Sequence, residues 1–147
     1  MPLIYLDNCA LQRPLDDRAQ FRVRIEADAI TTLLEAVEVG EVELATSAAL
    51  RAESSRARHR NRRDFAERVL ALASHDAPAA ATMRTRIQTY QDAGLRPFDA
   101  LHLASAVTMG ADYFCTTDDR LLRRARDVNT ETTRVVTPLE LAQELNL

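Results

Sequence analysis

A chain of 147 residues, 46% hydrophobic and 28% charged, has the length and balance of one folded domain with a sizeable core, which excludes a disordered polymer. Its formal net charge of -3 excludes a global basic field of the kind that attracts nucleic acid without regard to site. All 19 basic residues are arginine, which suits phosphate recognition and equally suits a biased genome composition. Cys9 and Cys115 lack CxxC spacing and read as reduced thiols of a cytosolic protein. The start, MPLIYLDNCAL, meets an acid at Asp7 with no basic region before it, so no signal peptide is expected. No apolar run reaches the length of a bilayer span. The expectation is a soluble cytoplasmic chain, residues 1–147 as a single domain, with no membrane partner.

Leu3-Ile4-Tyr5-Leu6 is a continuous apolar run, the pattern of a strand buried on both faces. It ends in Asp7-Asn8, which reads either as a turn or as a carboxylate placed beyond the end of a parallel strand, where open α/β sheets hold ligands. Arg13-Pro14 and Asp16-Asp17 form a loop that can cap the next helix. From about Asp17 to Val39, the residues Val23, Ala27, Ile30, Leu34 and Val37 make one stripe of a long amphipathic helix. Arg22/Glu26 and Arg24/Asp28 are i,i+4 pairs on its wet face, and Gly40 ends it. Val42–Ala45 is a second short strand, after which Thr46 or Ser47 can cap a helix from about Ala48.

On that helix Ala49, Leu50, Glu53 and Ala57 are related by three or four positions, so Glu53 projects from the apolar stripe. Arg51, Arg56, Arg58, Arg60, Arg62, Arg63 and Arg68 then crowd one segment. The cluster fits a phosphate backbone, and it fits a solvated turn between helices just as well. Asn61 is expected to cap the next helix, with Phe65, Val69 and Leu72 inward, and Pro78 to open another that runs to Gly94.

Arg96–Asp119 is the most informative stretch. A helix opening at Pro97 is apolar on nearly every side, which marks it as buried, yet Asp99 sits in its first turn with no basic residue three or four positions on. A turn at Gly110 leads to a strand at Tyr113–Cys115, and Asp118 follows directly. His102, one turn after Asp99, reads as a satisfied core histidine. Leu121, Leu122 and Ala125 mark a short arginine-rich helix, and Arg134–Val136 a last strand. Thr137-Pro138-Leu139-Glu140 is a capping box with proline at the first helical position.

Strand-like runs alternating with helical patterns predict an α/β fold, a three-layer α/β/α sandwich around a mostly parallel sheet of four or five strands. In it, Asp7 and Asp118 share one sheet edge, while Asp99 and Glu53 project from helices. If the four meet, like charges at about 4 Å repel by roughly 1 to 4 kcal/mol per pair, so the site needs protons or a cation. Hard oxygen donors point to Mg²⁺ or Mn²⁺ and away from zinc. A metal held by carboxylates beside arginines suits phosphoester hydrolysis. No Ser/His/Asp nucleophile arrangement competes, and three glycines make no phosphate loop.

Tyr5-Leu6-Asp7-Asn8, an inward Glu53, Asp99-Ala100-Leu101-His102-Leu103-Ala104 and Thr116-Thr117-Asp118 together resemble the PIN domain, and within it bacterial VapC-like toxins, the endoribonucleases of toxin–antitoxin pairs. The resemblance runs from Leu3 to the TPLEL helix. It implies Mg²⁺- or Mn²⁺-dependent cleavage of RNA by the acidic cluster Asp7, Glu53, Asp99 and Asp118, a cognate antitoxin as partner, and a homodimer. Thr116 matches the family's hydroxyl residue near the last acid, expected to orient a carboxylate or water. Asn8 stands where many members carry Thr or Ser, and Asp119 either supplements Asp118 or caps the following helix. The loop containing Arg13–Asp17 departs from the usual toxin pattern. Arg51, Arg56, Arg58, Arg60, Arg62 and Arg63 are candidate RNA contacts. The rival readings are a PIN-like module that binds RNA or a partner without cutting, and a small-molecule phosphatase; the latter lacks a DxD pair and any lysine.

Overall fold

The structure, a computed structural model, describes residues 1–147. In chain order its elements are β1 (Leu3–Leu6), α1 (Asn8–Gln12), α2 (Phe21–Glu38), β2 (Glu43–Thr46), α3 (Ala48–Ser55), α4 (Arg60–Leu70), β3 (His75–Asp76), α5 (Arg84–Asp92), α6 (Pro97–Thr108), β4 (Tyr113–Cys115), α7 (Asp119–Arg126), β5 (Arg134–Val136) and α8 (Pro138–Glu144). The strands form one sheet in the order β3-β2-β1-β4-β5, and every pairing is parallel.

That order follows from the apolar runs. All four residues of β1 are buried, so this strand must have neighbours on both sides and layers above and below. Tyr5 lies in register between Ala45 of β2 and Phe114 of β4. From β1 the chain steps outward to β2 and β3, then returns past β1 to β4 and β5. Because parallel crossovers are right-handed, steps in opposite directions leave their helices on opposite faces of the sheet. Accordingly α2, from an outward step, packs with α8, while α5 and α6, from the return, pack with each other. The reversal at β1 opens a crevice beyond the carboxyl ends of β1 and β4, the usual ligand position in such sheets.

The stripe read on α2 is buried throughout: Val23, Ala27, Ile30, Leu34 and Val37 all belong to the core. The helix starts later than expected, at Phe21, because Asp16 is held by arginines and Asp17 receives only the N–H of Ala19. The Arg22–Glu26 pair forms at 3.4 Å, whereas Arg24 turns back to the Arg18 carbonyl and Asp28 pairs with Arg18 instead. Ser47 caps α3 by accepting from the Leu50 N–H, and the capping box of Thr137 and Glu140 is complete.

Three expectations are corrected. Asn61 lies inside α4, which begins at Arg60 after His59. Pro78 precedes a 3-10 turn, Ala80–Met83, and the helix itself starts only at Arg84. Leu72 is 40% exposed and outside α4. Two elements are additional: α1, directly after Asp7, and the edge strand β3, whose two residues are both exposed. No helix is long and apolar enough to cross a membrane.

Candidate active site

The crevice holds a pocket of about 400 Å³ whose walls include Asp7, Glu53, Asp99 and Asp118. Four segments distant in sequence therefore turn an acidic side chain to one cavity. Asp7 follows β1, Asp118 follows β4, Glu53 comes from the second turn of α3, and Asp99 from the first turn of α6. The N-terminal end of a helix favours a carboxylate, which explains why Asp99 is tolerated at the head of an otherwise apolar helix.

The two strand-end acids are built alike. Asp7 Oδ1 accepts the Ala10 N–H and the Cys9 thiol, both at 3.0 Å, and so caps α1. Asp118 Oδ1 accepts the N–H groups of Arg120 and Leu121 at 2.9 and 3.1 Å and caps α7. Each carboxylate is thus fixed through one oxygen, and its Oδ2 is not used in the cap. Asp118→Ala is expected to cost about 1 kcal/mol in stability through the lost cap, with Asp118→Asn within a few tenths of wild type. Urea unfolding of the metal-free proteins checks this; an Asn variant as unstable as the Ala variant would refute the capping role.

Burial is the largest influence on Asp7, which is only 5% exposed, and pushes its carboxyl up to about 6 against hydrogen bonds that pull it down. Asp99 is also raised, first by burial and then by the nearby Asp118 and Glu53 carboxylates. Desolvation beside Asp7 pushes the Cys9 thiol up to about 12, although the residue as a whole is exposed, so no thiolate is present at neutral pH. The pocket also takes in His102, buried on α6 and hydrogen-bonded to Glu53 Oε1 at 3.2 Å.

No three of the His, Cys, Asp and Glu side chains stand close enough to close directly on one metal ion. The donor set nonetheless fits a hydrated hard cation. Its members are carboxylate oxygens together with Asn8 Oδ1 and Gln12 Oε1, two buried amide oxygens of the pocket-lining residues that find no hydrogen-bond partner. Mg²⁺ retains several waters and needs only one or two direct carboxylates, whereas a zinc site would need thiolate or imidazole donors that are protonated or engaged here.

The supporting residues fall in different places. Asn8 lines the pocket; Thr116 does not. The Thr116 hydroxyl instead accepts the Asp118 N–H at 3.0 Å, shaping the backbone that delivers the acid. Asp119 neither caps α7 nor faces the pocket, and makes a two-point pair with Arg22, both contacts at 2.8 Å. Of the six candidate RNA contacts, only Arg62 lines the pocket, held by Asp16 at 2.8 Å and the Leu15 carbonyl. Arg51 pairs with Asp76, Arg60 with Asp64, and Arg63 donates to the carbonyls of Ala57 and Arg58 in the turn after α3. Arg56 and Arg58 are exposed.

A chain of ion pairs flanks the pocket: Arg62–Asp16–Arg13–Glu26–Arg22–Asp119. Sequence reasoning found only its Arg22–Glu26 link and missed Gln12, Cys9, Asp16 and the bond from His102 to Glu53. A signal for the last was available. Tyr5 on β1 and Asp7 just past its end lie two residues apart along extended backbone, and His102 is one turn after Asp99.

Comparison with known proteins bears on family and fold. A family model described as PIN domain matches residues 4–127. Among curated protein sequences none matches the chain significantly. The fold is similar to the crystal structure of FitAcB from Neisseria gonorrhoeae, with a TM-score of 0.56, 16% identity, and 92% of this chain and 97% of that one covered. It is likewise similar to VapBC2 from Rickettsia felis bound to a DNA fragment from their promoter, with a TM-score of 0.60, 14% identity, and coverage of 92% and 98%. With the family model spanning β1 through α7, and so all four acids, the chain belongs to the PIN domain family.

Proposed function

We propose that the chain is an Mg²⁺- or Mn²⁺-dependent endoribonuclease that hydrolyses RNA phosphodiester bonds, and the toxin of a type II toxin–antitoxin pair. The observation that carries this reading is the convergence of Asp7, Glu53, Asp99 and Asp118 on one pocket at the carboxyl edge of a parallel sheet. Such a gathering of acids beside a phosphate substrate is unfavourable without a cation. Membership of the PIN family, generally nucleases, supports the hydrolase class. The likeness in fold to FitAcB and VapBC2 supports a protein antitoxin as partner, and the resemblance to VapC-like toxins supports a homodimer in the cytoplasm.

When bound, the divalent cation would polarise the phosphoryl oxygen and make water acidic enough to attack. The protein's share is placement. Asp7 and Asp118, each locked by a helix cap, would present their second oxygens, and Glu53 and Asp99 would complete the acidic wall. Arg62 stands where it can meet a non-bridging phosphate oxygen, while exposed Arg56 and Arg58 are available to the flanking backbone.

A non-cleaving RNA- or partner-binding module is the second reading, favoured by the spread of the acids, no three of which close on one ion. RNA cleavage assays separate the two. The wild type is expected to cut single-stranded RNA with Mg²⁺ or Mn²⁺ and not with EDTA. Asp99→Asn is expected to lose roughly 10²-fold or more, the worth of about 3 kcal/mol of charge stabilisation. A wild type that binds RNA and leaves it intact with either metal establishes the binding module instead.

A further inference from the structure

Behind the acidic wall lies a chain of hydrogen bonds that the reaction as outlined does not use. Ser47 Oγ and the Tyr5 hydroxyl are 2.7 Å apart, Tyr5 and His102 Nδ1 are 2.7 Å apart, and His102 Nε2 is 3.2 Å from Glu53 Oε1. We infer that His102 is a positioning residue that holds Glu53 toward the pocket, and that Tyr5 and Ser47 dictate which ring nitrogen carries the hydrogen that does so. The inference rests on the reading that the pocket takes a divalent cation.

Donor counting gives the direction. A carboxylate only accepts, so the contact to Glu53 requires a hydrogen on Nε2. In the tautomer that carries its one ring hydrogen there, Nδ1 presents a lone pair, and only a donor can meet it. The Tyr5 hydroxyl, 2.7 Å away, is that donor. Its oxygen is left to accept from Ser47, whose own oxygen accepts the Leu50 N–H at 3.0 Å. Reversing the Tyr5–Ser47 link would set the Nδ1 lone pair against an oxygen lone pair, and moving the ring hydrogen to Nδ1 would leave the carboxylate without its donor. Ser47 caps α3 and Glu53 lies further along the same helix, so the chain leaves α3, passes through β1 and α6, and returns to α3. This closed path fixes Glu53 Oε1 and leaves Oε2 for the pocket.

The packing holds the ring as firmly as the bonds. His102 is 2% exposed, tilted between Tyr5 at 5.8 Å and Phe98 at 6.0 Å between ring centroids. A histidine present only to fill space would need no donor on one side and acceptor on the other. Partners that orient a ligand in this way commonly account for 10- to 100-fold in metal affinity.

The test is Mn²⁺ binding to the full chain, read by the paramagnetic resonance signal of free Mn²⁺, with no RNA present. Tyr5→Phe keeps the ring and removes the donor; His102→Phe removes both bonds; His102→Gln retains an amide acceptor and an amide donor. The expected result is roughly tenfold weaker binding in Tyr5→Phe and His102→Phe, partial recovery in His102→Gln, and a double variant no worse than His102→Phe alone. Circular dichroism confirms folding, and if His102→Phe does not fold, the near-isosteric Tyr5→Phe decides alone. Unchanged Mn²⁺ affinity in folded Tyr5→Phe, or additive losses in the double variant, overturns the positioning role. A wild type that binds no Mn²⁺ is a different failure, removing the metal reading and this inference with it.

Discussion

Asp7→Asn is expected to lose RNA cleavage by at least roughly 10²-fold and, without metal, to be more stable than the wild type at pH 8. The two effects share one cause. The Asp7 carboxyl rises from 3.8 to about 6 in the fold because burial opposes its charge. Between those values the folded state holds a proton that the unfolded chain has released. Wild-type stability therefore falls as pH climbs from about 4 to about 6 and stays at the lower level above that. A shift of about two pKa units corresponds to about 3 kcal/mol at most. Asparagine keeps an oxygen to accept the Ala10 N–H and carries no charge, so it escapes that loss. The variant should exceed the wild type by on the order of 2 kcal/mol at pH 8, and the gap should close toward pH 4. Urea unfolding in EDTA at pH 4.5, 6 and 8 measures it. A gap that is absent at pH 8, or that does not change with pH, would mean that burial does not oppose the carboxylate's charge. Saturating Mn²⁺ should stabilise the wild type and leave Asp7→Asn nearly unmoved, because binding to the folded state adds stability only where the site is intact.

Much of this site is legible before folding is considered. Asp99 shows itself because an apolar helix with one unpaired acid is a contradiction, and Glu53 because it lies on the wrong stripe. Strand-end acids of a parallel sheet must share an edge, so Asp7 and Asp118 follow from the alternation of strands and helices. What stayed hidden has no local period. Tyr5 and His102 are 97 positions apart, and the Arg22–Asp119 pair is equally distant, so their contacts exist only once β1, α2, α6 and α7 are packed. The five-residue α1 was masked by Asp7-Asn8, whose turn character is real but serves to cap a helix. β3 has two exposed polar residues and no apolar run; it is a strand only because Ser74 and Ala77 flank it with backbone bonds to β2. The arginine cluster was ambiguous in sequence because charge says nothing of direction: Arg62 faces the pocket while Arg63, its neighbour, holds the turn between α3 and α4.

Phe114→Ala should lower stability by about 3 to 5 kcal/mol, the range for emptying a large aromatic from a core. For a chain of this size that is a fall in Tm of roughly 10 °C. Phe114 is fully buried on β4, one of the two strands flanking β1, and its ring stacks on Tyr5 at 5.7 Å with 16° between planes. Neither neighbour can collapse into the space, since Tyr5 and Val135 are held in parallel register on either side. Phe114→Leu, which refills most of the volume, should cost far less, about 1 kcal/mol. Thermal melts of both variants in EDTA check this, and an Ala variant within 1 kcal/mol of wild type would show the strand ends to be far more pliable than a close-packed sheet allows. The stack also carries a consequence at the pocket. Tyr5 is the donor that orients His102 and, through it, Glu53, so freeing its ring should weaken Mn²⁺ binding even at temperatures where Phe114→Ala remains folded. Phe114→Leu, with Tyr5 still supported, should bind nearly as the wild type does. Stability and metal affinity thus move together at Phe114 and in opposite directions at Asp7, which distinguishes a residue that frames the site from one whose charge the fold tolerates only for the sake of a ligand.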